Sequence, residues 1–545
     1  MKHTLLTLIL ITMLTCSCKT GQQADLLIVN ANIYTVDAQF SKASQMAVKD
    51  GKIVYVGDDC PLKAKEVVDM KGRSVYPGFI DGHCHFLSYG ENCIRYVDLR
   101  DCASFDEVIE RLKKYERENG ESDWIIGRGW DQNLWEGQQF PDNKLLEANF
   151  PGKYVVLTRI DGHATLVTNN VMQLIGLNRK TKIEGGEIYL GSNGRPTGIL
   201  IDNAADLAKA AIPPLNNEQL TRALLRAQDD CFAMGLSSIT DAGLGIRAIE
   251  HIDSLQQGNK LKMKINAMVN PDDETLLHFT RQGVIVKDRL SVRSVKIYAD
   301  GALGSRGAKL LRPYDDAPQT DGLMVCDDDF YRHVCSIAAQ AGYQVCCHAI
   351  GDGGVHHIID IYSEYLKPGN DLRWRIEHSQ VVDSADFARY GQYNIVPSIQ
   401  ATHCTSDMAW AGERLGPDRV KNAYAYKRLL EQNGWLVNGT DFPIEHISPL
   451  YTFYASVARK DLDGRPTEGF QMENALSREE ALRSMTIWAA KGAFEEDRRG
   501  SLEVGKDADF VVLSSDIMTA PEAKLPHIGV LQLYVSGELV YKRNH

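Results

Sequence analysis

His83 and His85 stand two residues apart in the run Pro77-Gly78-Phe79-Ile80-Asp81-Gly82-His83-Cys84-His85. On an extended strand successive side chains alternate faces, so both rings point one way and can chelate one ion, while Cys84 turns away. Further candidates follow, each closing an apolar run: Lys296 in Val295-Lys296-Ile297-Tyr298, His348 in Cys346-Cys347-His348, His378 in Arg375-Ile376-Glu377-His378 and Asp441 in Gly439-Thr440-Asp441. Imidazole and carboxylate donors of this kind select zinc or a similar divalent ion. A lysine amid apolar neighbours is costly as an ammonium unless it is deprotonated or paired. One histidine after an apolar run is more often a packed core or rim residue than a ligand. Four of them, with a lysine and an aspartate at successive runs, point to a metal site.

Something must bring these segments together. Strand-like runs at 74–80, 236–240, 264–269, 292–298, 343–347, 373–376, 393–398 and 434–438 alternate with amphipathic stretches such as 220–233 and 328–341. That alternation predicts an α/β fold, and eight β/α units close into a TIM (β/α)8 barrel. Barrel catalytic groups gather at the C-terminal strand ends, which is where the candidates fall. The gap between the first two runs is too long for one helix, so an insertion is expected at about 87–218. Strands at 124–127 and 154–158 and a helix at 99–119 are expected within it. Short strands in 25–77, with Asp50-Gly51 as a hairpin turn, match similar material in 499–545. The two chain ends are expected to pair into a small β-sandwich beside a barrel spanning 78–498.

Composition narrows the partners. Lys and Arg number 60 against 72 Asp and Glu, a net charge of −12 over 545 residues. No clustered basic face suggests nucleic acid. The chain carries 12 cysteines, but from Cys60 onward they are scattered and form no C-x-x-C pair, so neither a disulfide framework nor thiolate zinc is expected. Residues 1–20 are different: a basic start, an apolar run at 4–14 too short to span a bilayer, then Thr15-Cys16-Ser17-Cys18. This resembles a bacterial lipoprotein signal, with Cys18 or Cys16 lipidated. The expectation is export, with the protein lipid-anchored to an envelope membrane or secreted to the periplasm, and with no other membrane contact.

The motif set resembles the amidohydrolase superfamily, specifically its amidohydrolase-3 or YtcJ-like branch. It includes Lys296-Ile297-Tyr298-Ala299-Asp300-Gly301-Ala302-Leu303-Gly304-Ser305-Arg306, His348-Ala349-Ile350-Gly351-Asp352, and the tail Gly500-Ser501-Leu502-Glu503-Val504-Gly505-Lys506-Asp507-Ala508-Asp509. Ala401 and Gly353-Gly354 depart from the branch's usual residues. The resemblance implies that His83, His85 and Asp441 hold one ion and that His348 and His378 hold a second. Lys296, carboxylated by carbon dioxide, would bridge them; a single ion beside an unmodified lysine is the other form. It also implies metal-dependent hydrolysis of an amide-like or N-substituted formamide-like C–N bond of a small molecule, with Asp441 and His378 as catalytic candidates. His163, Trp130, Arg306 and His403 are the expected substrate contacts. A deaminase, or a dipeptidase- or lactonase-like hydrolase, is the alternative, and a metal-binding surface lipoprotein without turnover is a third reading. A homodimer is the expected assembly.

Overall fold

The computed structural model describes residues 23–120, 122–160, 162–183 and 186–544. The expected signal segment, with Cys16 and Cys18, lies outside them. No helix among the described residues is long and apolar enough to cross a membrane. Every cysteine from Cys60 to Cys404 is a free thiol.

The predicted barrel is present. Its parallel strands are Phe79–Cys84, Leu236–Leu244, Lys264–Val269, Leu290–Tyr298, Gln344–Ala349, Arg375–His378, Val396–Ile399 and Val437–Asn438, each hydrogen-bonded to the next. They are rich in apolar residues because helices cover one face and the packed barrel interior fills the other. First and eighth strands meet where Asp441 N donates to His83 O and His85 N donates to Phe442 O, both at 2.8 Å. Gly82 permits that approach, since a Cβ there would lie 2.2 Å from Val437 Cγ1. Helices follow the expected spacing. Asn217–Ala233 starts at an Asn216/Gln219 capping box, and Asp328–Ala341 runs from an Asp327 cap to Gly342 in the left-handed region.

Three expected strands change; of 434–438 only Val437–Asn438 is strand, after Gly434 in the left-handed region. The run at 74–80 divides at Gly78: Ser74–Pro77 joins the sandwich and Phe79–Cys84 opens the barrel. Apolar continuity cannot show that a chain changes sheets. At 393–398, Phe387–Tyr393 is helical, Asn394 is left-handed, and only Val396–Ile399 is strand.

The chain ends meet as predicted. One sheet is ordered Lys52–Gly57, Gln45–Lys49, Ala24–Val29, Ala64–Asp69; the other is Glu538–Lys542, Val530–Val535, Phe510–Leu513, Ser74–Pro77, Asn32–Tyr34, Lys42–Ala43. Phe510–Leu513 pairs antiparallel with Ser74–Pro77, and Ile28, Met46 and Val75 share a core with Phe510 and Val512. Between the first two barrel strands lies a six-stranded sheet, ordered Gly186–Leu190, Pro196–Asp202, Ala164–Val167, Tyr154–Arg159, Trp124–Trp130, Tyr96–Asp98. The helix expected at 99–119 is Phe105–Asn119; residues 99–103 stay outside because Ser104 caps the start by accepting from Glu107 N.

Candidate metal centre

Each candidate ligand leaves a barrel strand end. His83 and His85 follow the first strand's alternation, whereas His378 and Asp441 occupy left-handed backbone at φ 73° and 61°. Such strain costs about 1–3 kcal/mol per residue and persists where the surrounding structure dictates it.

Asp441 is the hub. Its Oδ1 lies 3.2 Å from His85 Nε2 and 3.5 Å from His83 Nε2, and its Oδ2 lies 3.2 Å from His403 Nε2. Lys296 Nζ is 3.3 Å from His83 Nε2. The His378 ring centre lies 5.2 Å from that of His83 and 4.5 Å from that of His348. Two donor trios result, His83–His85–Asp441 and His378–His403–Asp441, each with ligand atoms within 4.8 Å of one another. His348 packs against His378, but its Nε2 faces Gly301 O at 3.5 Å and Asp300 Oδ1 at 3.6 Å. It is in neither trio.

These residues fit a divalent cation. Asp441 Oδ1 and His378 Nδ1 are buried without a hydrogen-bond partner. An orphaned buried polar atom costs about 1–3 kcal/mol, and a cation bound in each trio would remove that cost.

The electrostatics favour neutral imidazoles at His83, His348 and His378 beside an ionised carboxylate. Burial, helped by the Lys296 charge, pushes His83 down to about 4 and His348 to about 3. Burial likewise holds His378 well below the ordinary imidazole value and lowers the Lys296 ammonium. Burial alone would raise Asp441, but His403 and the surrounding imidazoles hold it well below the usual carboxylate range. Burial opposes the charged form of His403 too; Asp441 and Glu445 outweigh it and push the ring up to about 10.

Behind the ligands lies a support layer that the sequence reading missed. Glu377 Oε2 is 2.7 Å from His83 Nδ1, fixing the ring with Nε2 toward the site. Arg375 holds Glu377 at 2.7 Å and donates to Gly82 O at 2.6 Å. Arg375 and Glu377 are two apart on one strand and so share a face, a signal that alternation does carry. Asp81 accepts from His83 N, Thr440 N and Thr440 Oγ1, tying the first strand end to the eighth; burial raises its pKa to about 7. Glu445, bonded to His403, sits in a loop with no periodic signal.

The expected substrate contacts separate. His403 is in the cluster, against Asp441. Trp130 lies in the insertion's core rather than in the cluster: it is 1% exposed, donates to Leu157 O at 2.8 Å and packs on Trp135. An indole reads alike in sequence whether it lines a cleft or fills a core. The Arg306 guanidinium is taken by Asp316 through contacts of 3.0 and 2.7 Å. His163 lies on the insertion, 74% exposed, with Nδ1 2.9 Å from Asp202 Oδ1.

The model of the amidohydrolase family matches residues 66–541. YtcJ of Bacillus subtilis (strain 168) is 31% identical over 527 residues, 94% of this chain and 98% of its own length. The N-substituted formamide deformylase of Arthrobacter pascens is 26% identical over 551 residues, 96% of this chain and 99% of its own. The crystal structure of an uncharacterized metal-dependent hydrolase from Pyrococcus horikoshii OT3 superposes with a TM-score of 0.79 at 29% identity, over 91% of this chain and 99% of that one.

Proposed function

Because the chain belongs to the amidohydrolase family and is on that ground a metal-dependent hydrolase, we propose that it cleaves a non-peptide C–N bond of a small amide or N-substituted formamide. The observation that carries this reading is Asp441, a carboxylate kept ionised beside His83, His85, His378 and His403 at a barrel's catalytic end. Full-length similarity to a formamide deformylase supports the bond type.

Zinc is the proposed ion, one or two per chain. His83, His85 and Asp441 would hold one and His378 would help hold another. Bound there, the ion supplies Lewis-acid polarisation and acidifies water. Lys296, which burial biases toward the free amine, can add to carbon dioxide: an N–C bond forms, a proton leaves to solvent, and the product is an anionic ligand. Asp441 takes a proton from the attacking water and returns it to the leaving nitrogen as the C–N bond breaks. Glu377 keeps His83 oriented throughout.

Zinc-loaded protein is to be assayed against N-benzylformamide, other N-acyl amines, dipeptides, lactones and amino-heterocycles. Release of an amine and an acid from the first two groups is expected. Turnover confined to the other three would overturn the reading. From residues 1–20 we also propose export with lipidation at Cys18 or Cys16, tested by globomycin-sensitive lipid labelling.

A further inference from the structure

Tyr298 closes the fourth barrel strand, two positions beyond Lys296 and therefore on the same strand face. Its ring centre lies 4.8 Å from Lys296 Nζ and 5.5 Å from the ring of His348, its register partner on the fifth strand. Lys296 is buried, yet Tyr298 beside it is 41% exposed, on a strand whose other residues are buried or half-buried. Its backbone is anchored, Tyr331 Oη donating to its carbonyl at 3.2 Å, while its hydroxyl has no hydrogen-bond partner among the described residues. A rigid aromatic ring left open at the ligand end of a barrel is surface offered to whatever enters.

The loop after this strand sets what that surface can take. It returns to the strand end where Val325 N donates to Ala299 O at 2.9 Å, and it exposes Leu323 and Val325. Its basic side chains are already occupied: Arg306 by Asp316 at 3.0 and 2.7 Å, and Lys309 by Asp321 at 2.8 Å. Arg414, which meets the same loop, is also on Asp316. An anionic substituent would have to displace Asp316 or Asp321 to reach a cation there. A flat apolar group displaces no such partner and removes ring surface from water.

We propose that Tyr298 is a substrate-binding residue whose ring is the wall for an uncharged, apolar substituent of the scissile amide. The substrate class is then the amide that carries an aliphatic or, better, aromatic group close to the C–N bond, not one that carries a charge there. Tyr298 coordinates no ion and carries no proton in this role; it selects by contact. The proposal rests on the hydrolase reading above and narrows it.

The test is steady-state hydrolysis by zinc-loaded protein of two matched sets. One is N-methyl-, N-butyl-, N-phenethyl-, N-(carboxymethyl)- and N-(2-aminoethyl)formamide; the other is acetamide against phenylacetamide. In at least one set kcat/KM should rise about tenfold or more from the methyl to the aryl member, with the charged members lowest. Tyr298→Ala, and Tyr298→Leu as the variant that keeps apolar volume, should cut the aryl-to-methyl ratio about three- to tenfold, through KM more than kcat. Tyr298→Phe should hold the ratio within about twofold, since the ring and not the hydroxyl makes the wall. Zinc content and unfolding temperature are measured on each variant. A wild type with no preference, or with a preference for a charged member, overturns the proposal. So does proportional loss on every substrate together with lost zinc, which marks a role in holding Lys296 or His348. Failure to hydrolyse any amide of either set overturns the C–N reading itself, and this one with it.

Discussion

Two lysines are sealed inside the same barrel at opposite ends, and they are treated differently. Lys264 opens the third strand; its Nζ has Asp507 at 2.8 Å and both oxygens of Asp509 at 2.8 and 2.7 Å. Arg499 and Lys52 also reach Asp507. Lys296 lies near the catalytic end of the fourth strand, 1% exposed, with His83 Nε2 at 3.3 Å and the Tyr298 ring at 4.8 Å as its near neighbours. No carboxylate among the described residues pairs with it within 4.0 Å. At one end burial is compensated by direct ion pairs and the lysine docks barrel on sandwich; at the other the lysine has no direct ion pair and burial lowers its pKa. The Gly-Lys-Asp-Ala-Asp tail is thus a clamp, with Asp507 and Asp509 closing on a barrel lysine.

That contrast can be broken in several ways. The largest effect is expected at the hub: Asp441→Asn should lower turnover about 10²–10⁴-fold, measured on zinc-loaded protein, with unfolding unchanged before loading. Activity within tenfold of wild type would remove Asp441 as the proton carrier. Lys264→Met should cost about 3–5 kcal/mol in urea unfolding because it strands the buried Asp509 and takes one partner from Asp507, while activity per folded molecule survives. Lys296→Met should do the opposite: metal-free stability holds or rises, while activity falls about 10²-fold or more. Equal destabilisation by the two lysine variants would erase the comparison.

A smaller effect follows from pH. Burial would raise Asp507, but Lys264 and Arg499 hold it at about 2. Its contribution, on the order of 2 kcal/mol, is fully present above the unfolded value near 4 and is lost as pH falls through about 2. Acid unfolding of Asp507→Asn should lack that limb. Smallest is Trp130→Phe, which loses the bond to Leu157 O. It should cost about 1–2 kcal/mol and leave KM unchanged; a shifted KM would return Trp130 to the substrate site.

The sequence alone determined the eight-strand alternation, the pairing of the chain ends, and His83, His85, Lys296, His348, His378 and Asp441 as candidates. These were legible because strand period and strand-end position are local properties: apolar runs, a two-residue spacing and a polar residue closing each run. Where the sequence reading failed, the deciding contact was distant. The split at Gly78 depends on Asp509, whose carbonyl accepts from Gly78 N at 2.9 Å. Trp130 was settled by the insertion's core, and Arg306 by Asp316. His403 needed Asp441 and Glu445, 38 and 42 residues away in sequence. Donor geometry and charge compensation arise from segments that only folding brings within a few ångströms. The residue types were therefore fixed by the sequence, and their partners, protonation and division between two ends of one barrel by the tertiary structure.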